Sequence, residues 1–180
     1  MAYEKVTLLG TGLMGLPMAR NLAAAGVPMT VWNRTAAKAA PLEAPGARVA
    51  HTLADAVGGA DIVLSMLSAG PTVLAVIGEV AAMLGDGALW IDMSSTKPEE
   101  ARAQAAALAR VGVNHLDAPV SGGTKGAEAA SLAIMVGGGM ADLVLARPVP
   151  EQMGRPVHVG PSGAGQLSQL CTQAIVAVTT

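Results

Sequence analysis

The sequence predicts an α/β fold in which helices cover both faces of a doubly wound, mainly parallel sheet. Three observations carry this prediction. Short apolar runs alternate along the chain with Ala-rich stretches of helical length. The runs VTLL, DIVLSML and ALWIDM are almost continuously apolar, as in strands buried on both faces. A glycine-rich turn joins the first run to the first helical stretch.

Taken in order, Val6–Leu9 is the first expected strand and Met14–Ala25 the first helix. Met29–Trp32 follows as a strand and Ala36–Leu42 as a helix, then Arg48–Ala50 as a short strand and Leu53–Val57 as a short helix. Asp61–Leu67 is a strand, Thr72–Met83 a helix, Ala88–Met93 a strand and Pro98–Arg110 a helix. The later strands are Val113–Leu116, Leu132–Val136 and Val157–Val159, with a short helix in ADLVLARPVPEQMG before the last. The turn GPSGAG, Gly160–Gly165, is the best boundary, and from Gln166 the chain reads as a helix. One unit is therefore expected over residues 1–162 and the beginning of a further helix over 163–180.

A chain of 180 residues suffices for one domain with a solid core. Hydrophobic residues make up 52% and charged residues 13%, which excludes a disordered chain. A net charge of −2 supplies no basic field for nucleic acid, and one Tyr, two Trp and no Phe supply no base-stacking platform. The single cysteine, Cys171, excludes an internal disulfide and a multi-Cys metal site, so no metal is expected. The start MAYEKVTLLG has no basic region ahead of a long apolar segment, and no apolar run reaches membrane-spanning length. A cytoplasmic protein without a membrane partner is the expectation.

The first chemical signal is VTLLGTGLMG. Gly10, Gly12 and Gly15 form G-x-G-x-x-G between a strand and a helix, with Leu13 and Met14 inside the motif. Gly10 permits the tight turn, Gly12 admits a pyrophosphate to the backbone, and Gly15 lets helix and strand pack closely. The free N–H groups of the helix start, with their partial positive charge, suit phosphates. The plain alternative is a glycine turn in a glycine-rich chain. In this context the pattern predicts a Rossmann-type dinucleotide site.

The end of the second strand selects the cofactor. An NAD site ordinarily carries Asp or Glu there, to hold the ribose 2′-OH. Here the stretch is VWNRT, with Asn33, Arg34 and Thr35. Asn33 does not repel a 2′-phosphate, Arg34 can pair with it bidentately, and Thr35 can donate its hydroxyl. NADP(H) is preferred, with NAD(H) as second choice; the alternative is that Arg34 is an ordinary surface arginine.

GTGLMGLPMARNL, DMSSTKPEEAR and LDAPVSGGTKGAEAASLAIMVGG together resemble the β-hydroxyacid dehydrogenases. That family includes 3-hydroxyisobutyrate dehydrogenase and 2-hydroxy-3-oxopropionate (tartronate semialdehyde) reductase. VWNRT is similar to its NADPH-using semialdehyde reductases and to the related imine reductases. The resemblance implies a Rossmann domain joined by a long helix to an all-α domain that builds a dimer and closes the substrate site. On that reading the chain stops within the interdomain helix, and its apolar surface from Leu170 to Val178 is expected to seek burial in another copy. The resemblance also implies that Leu67, Ser68 and Thr72 contact the cofactor, Ser68 standing where the family has Pro. Thr96 matches the residue near the nicotinamide ribose. Ser121, Gly122 and Gly123 match the loop that binds a substrate carboxylate.

The family's last motif, G-x-G-x-x-x-K-x-x-N, has Gly163 and Gly165 here, but Gln169 at the lysine position and Thr172 at the asparagine position. In the family Lys is the general acid/base and Asn orients the substrate. Gln169 can donate a hydrogen bond but cannot transfer its proton. Three explanations stand: an engineered trap, a natural non-catalytic relative, or another acid such as Lys125. The function expected is hydride transfer between NADP(H) and a small 3-hydroxy acid or semialdehyde, impaired in this chain. The alternatives are a non-catalytic dinucleotide-binding module and an imine reductase-like enzyme. His51, His115 and His158 read as structural, Asp117 as a cap for its own loop, and Cys171 as packing.

Overall fold

The computed structural model of the chain describes residues 5–179, with side chains to residue 175. Six strands run parallel in the order β3-β2-β1-β4-β5-β6: Val6–Leu9 (β1), Met29–Trp32 (β2), Arg48–Val49 (β3), Ile62–Ser65 (β4), Leu89–Asp92 (β5) and Asn114–Asp117 (β6). Order reverses beside β1, which pairs with both β2 and β4, and such a reversal opens a crevice at the carboxyl ends of the strands. Val120–Ser121 (β7) and Leu132–Gly138 (β8) pair antiparallel, β8 also runs antiparallel to β6, and Gly154–Gly160 (β9) pairs parallel with β8.

The continuous apolar runs bury alternate residues on opposite faces. Leu8, Ile62, Leu64 and Ile91 join one core with Met18 and Leu22 of the first helix, Gly15–Ala24 (α1). Leu9, Val63 and Trp90 join a second core with Leu53–Val57 (α2), Gly70–Val80 (α3) and Pro98–Ala109 (α4). Among the described residues no helix is long and apolar enough to cross a membrane.

Several elements depart from the expectation. Ala36–Leu42 is not an α-helix but two 3-10 turns, Ala36–Lys38 and Ala40–Leu42. Pro41 lacks the N–H that an α-helix needs there and crowds the preceding turn. β7 and the helix Gly123–Glu128 (α5) were not expected, because TKGAE carries little periodicity; Asn21 Nδ2 donates to Ala127 O at 2.6 Å to hold α5 on α1. β9 extends beyond Val157–Val159 at both ends, its alternation masked by Pro156, a residue an edge strand tolerates. Met140–Ala146 (α6) is the short helix anticipated before it. The last helix, Ala164–Thr179 (α7), starts earlier than Gln166. Leu167, Leu170 and Ile175 are exposed on α7, while the rest of the expected apolar surface to Val178 lies outside the described side chains.

A buried polar group on β6 leads to a pH prediction. His115 Nε2 lies 3.0 Å from Gln104 Oε1, and burial pushes the imidazole down to about 3 from 6.5. Folding therefore selects the neutral ring. Between these values the unfolded chain binds the extra proton, so stability falls as pH falls. Burial raises the Asp92 and Asp117 carboxyls, which act in the opposite sense in acid, so the effect must be read by difference. Between pH 7 and pH 4.5 the parent is expected to lose about 2–3 kcal/mol more than His115→Gln in urea unfolding.

Candidate functional site

The glycine loop stands at the crevice where strand order reverses. Gly10 holds φ at +99°, and its N–H donates to Trp32 O at 2.8 Å, binding the turn to the tip of β2. A Cβ on Gly15 would strike the carbonyl oxygen of Gly10, whereas a Cβ on Gly12 would meet nothing within 4 Å. Gly15 is thus required by the packing of α1 on β1, and Gly12 leaves open space beside the start of α1. This space is what a pyrophosphate needs, so the residues present fit a dinucleotide.

Gly10, Gly12, Leu13, Met14 and Gly15 line a cleft of about 760 Å³ together with Asn33, Arg34, Thr35, Leu67, Ser68 and Thr72. All the cofactor-contacting residues expected from the sequence meet there except Thr96. Asn33 does more than avoid repulsion. Its Oδ1 accepts from Thr11 N at 3.0 Å and its Nδ2 donates to Thr35 O at 2.9 Å, so it ties the glycine loop to the VWNRT turn. Arg34 and Thr35 are exposed on the rim. Lys38 joins them in the lining and is also exposed; the first 3-10 turn carries it back beside Thr35, whose carbonyl accepts from Lys38 N at 3.0 Å. Sequence reading missed Lys38; a second cation four residues after Arg34 was the available signal. Among the described residues neither cation is held in an ion pair.

Also missed were Trp32, Leu53, Val76 and Glu79 on the cleft wall. His51, expected to be structural, lines the same wall. His115 is in the core with Gln104, and His158 Nε2 lies 2.8 Å from Gly138 O, as structural roles require. Ser68 and Thr72 hydroxyls, both in the cleft lining, approach each other to 3.5 Å.

Of the other expected residues, Thr96 and Gln169 lie where the loop after β5 meets α7. Asp92, fully buried at the end of β5, accepts from Ser65 Oγ at 2.8 Å and Ser94 N at 3.1 Å; burial raises its carboxyl against these bonds. Ser94 Oγ accepts from Leu67 N at 2.8 Å, which fixes the neighbouring cleft loop. Gln169 is buried, and its Nε2 donates to Val120 O at 3.0 Å and Ser95 Oγ at 3.2 Å. The lysine position is thereby joined to β7, which carries Ser121; the Gly122–Gly123 turn follows β7, with φ of +134° and +60°. Thr172 is exposed, and its hydroxyl donates to Ser168 O within α7 at 3.0 Å. Lys125 is exposed on α5, and Cys171 is exposed instead of packed. Asp117 does not cap its own loop. Its carboxylate accepts from Gly163 N at 2.8 Å and Gln166 N at 3.0 Å, capping α7 from the sheet, and burial still raises its carboxyl.

Comparison with known proteins agrees with this geometry. Residues 5–162 match the family model described as the NAD binding domain of 6-phosphogluconate dehydrogenase. An NAD-dependent L-serine dehydrogenase from Pseudomonas aeruginosa is 41% identical over 179 residues, which is 97% of this chain and 60% of that protein. A structure of 3-hydroxyisobutyrate dehydrogenase from Mycobacterium tuberculosis with L-serine gives a TM-score of 0.95 at 39% identity, over 99% of this chain and 61% of that one. A reductive aminase from Aspergillus terreus, solved with NADPH4, cyclohexanone and allyl amine, gives 0.88 at 25% identity, over 98% and 62%. The chain spans about three fifths of the length of these relatives. It belongs to the 6-phosphogluconate dehydrogenase-like, β-hydroxyacid dehydrogenase family of oxidoreductases, whose NAD(P)-binding domain it carries.

Proposed function

We propose that the cleft prefers NADP(H) and that the chain is the cofactor-binding part of a cytoplasmic β-hydroxyacid dehydrogenase. The reaction is hydride transfer between NADP(H) and a small 3-hydroxy acid or semialdehyde. The observation that supports this most is that the open space at Gly12 and the cations Arg34 and Lys38, neither in an ion pair among the described residues, belong to one cleft. When bound, the coenzyme supplies or accepts hydride at its nicotinamide ring. The first amides of α1 bind the pyrophosphate, and Arg34, Thr35 and Lys38 bind the 2′-phosphate. Ser121 and the Gly122 and Gly123 N–H groups hold the substrate carboxylate. Gln169 offers hydrogen bonds at the proton-transfer position but no proton, so turnover in this chain is slow.

On this reading residues 163–180 begin a helix that joins this domain to a second, all-α domain in the whole protein. Copies associate through the exposed apolar residues of α7, and a monomer by light scattering at micromolar concentration would refute that association. The fully hydrogen-bonded state of Gln169 favours one other reading, a dinucleotide-binding module without catalysis. The likeness to a reductive aminase supports an imine reductase-like enzyme, opposed by the Ser121–Gly123 loop suited to a carboxylate.

Calorimetric titration tests the cofactor assignment. NADPH is expected to bind at least about tenfold more tightly than NADH, and Arg34→Ala to weaken NADPH roughly 10–100-fold while leaving NADH within about twofold. Equal affinity of the parent for both would sink the NADP(H) preference, and binding of neither would sink the whole reading.

A further inference from the structure

Gln166 lies on the first turn of α7 and is 1% exposed. A leucine would fill such a position at lower desolvation cost, so a buried amide here requires partners. It has them on both sides. Oε1 accepts from Thr96 N at 3.0 Å, and Nε2 donates to Ser94 O at 2.8 Å. Its own N–H donates to Asp117 Oδ2 at 3.0 Å. The side chain thus grips the main chain of one short loop, Ser94–Thr96, while the backbone is clamped to the sheet.

That loop leaves the carboxyl end of β5. In a sheet of this order the pyrophosphate sits at β1 and the adenosine half lies over β2, so the other half extends over β4 and β5. Ser94 accepts from Leu67 N, and Leu67 lines the cleft at β4. Thr96 presents a buried hydroxyl with no partner among the described residues. Ser95, between the two gripped residues, bonds Gln169. One side chain therefore sets the path of the loop bordering the nicotinamide half and the seating of the helix that carries position 169.

The geometry points to Gln166 as a positioning residue that holds the Ser94–Thr96 loop against the nicotinamide half of the bound dinucleotide. The inference rests on the cofactor reading above. It concerns the path of a main chain, because both side-chain bonds end on backbone atoms. Gln166 acts through the main chain of Ser94 and Thr96.

The test titrates the chain with NADPH and with adenosine 2′,5′-bisphosphate, which keeps the 2′-phosphate end and lacks the nicotinamide half. Gln166→Met keeps the shape and removes both bonds. It is expected to weaken NADPH about tenfold or more and the bisphosphate less than about twofold, and to diminish the fluorescence gain of bound reduced nicotinamide. Unchanged NADPH affinity, or a parallel loss for both ligands, would overturn the inference. Gln166→Asn, with an amide too short to span the same gap, gives the same comparison if the Met variant does not fold. If neither folds, Gln166 serves the fold alone and the positioning role is refuted. If the parent binds neither ligand, the cofactor reading fails first and this inference with it.

Discussion

Gly12→Ala will fold as stably as the parent and lose tight dinucleotide binding. No atom lies within 4 Å of a Cβ built at Gly12, and its φ is not positive, so alanine enters the folded chain without strain. Restricting the unfolded backbone even favours it, by about 0.4–1 kcal/mol. The same methyl group projects where a pyrophosphate must come to reach the first amides of α1. We expect roughly a hundredfold loss of NADPH affinity, about 2.7 kcal/mol. Gly15→Ala is the contrasting variant. Its Cβ would strike the Gly10 carbonyl oxygen, a backbone atom with little room to retreat. Stability should fall by about 1–3 kcal/mol and binding with it. Urea unfolding and calorimetry on both variants separate the two roles. Full NADPH affinity in Gly12→Ala would remove the phosphate loop from the function.

Gln169→Lys is expected to change chemistry more than any other substitution, in a chain joined to the all-α domain of a relative. The site is prepared for it. Gln169 Nε2 donates to Val120 O and Ser95 Oγ, and an ammonium has donors for both. Burial of the position disfavours the charged form, bringing the amine closer to neutrality, where a general acid works best. Recovering acid–base catalysis should raise the rate about 10²–10⁴-fold, roughly 3–5 kcal/mol of barrier. Initial rates of NADPH oxidation with small semialdehydes measure it. If the Lys protein is no faster than the Gln protein, the enzyme reading gives way to the binding module.

The parallel half of the sheet was legible because its strands are buried on both faces and so are apolar without interruption. The glycine motif was legible because each glycine answers a steric need. The antiparallel end was harder to read. α5 forms from TKGAE because Gly122 and Gly123 turn the chain and α1 supplies a surface, neither of which leaves a period in the sequence. Lys38 is not legible as a cleft residue because Pro41 breaks the expected helix into 3-10 turns, changing which residues meet the cleft. The sequence points Asp117 to its own loop because its true partners, Gly163 and Gln166, lie in the last segment of the chain. Local residues announce local caps; a cap supplied across the fold becomes visible only in three dimensions.

That distant clasp has a consequence for how the molecule comes into being during synthesis. The strand bearing Asp117 leaves the ribosome well before the segment that supplies its amide donors. Until Gly163 and Gln166 emerge, the growing polypeptide must keep this carboxylate hydrated or hold a proton on it. The sheet can assemble from its amino-terminal side, but its last corner closes only when α7 arrives. A fragment cut at Ser162, where the family match ends, would lose that closure and carry an orphaned acid in its interior.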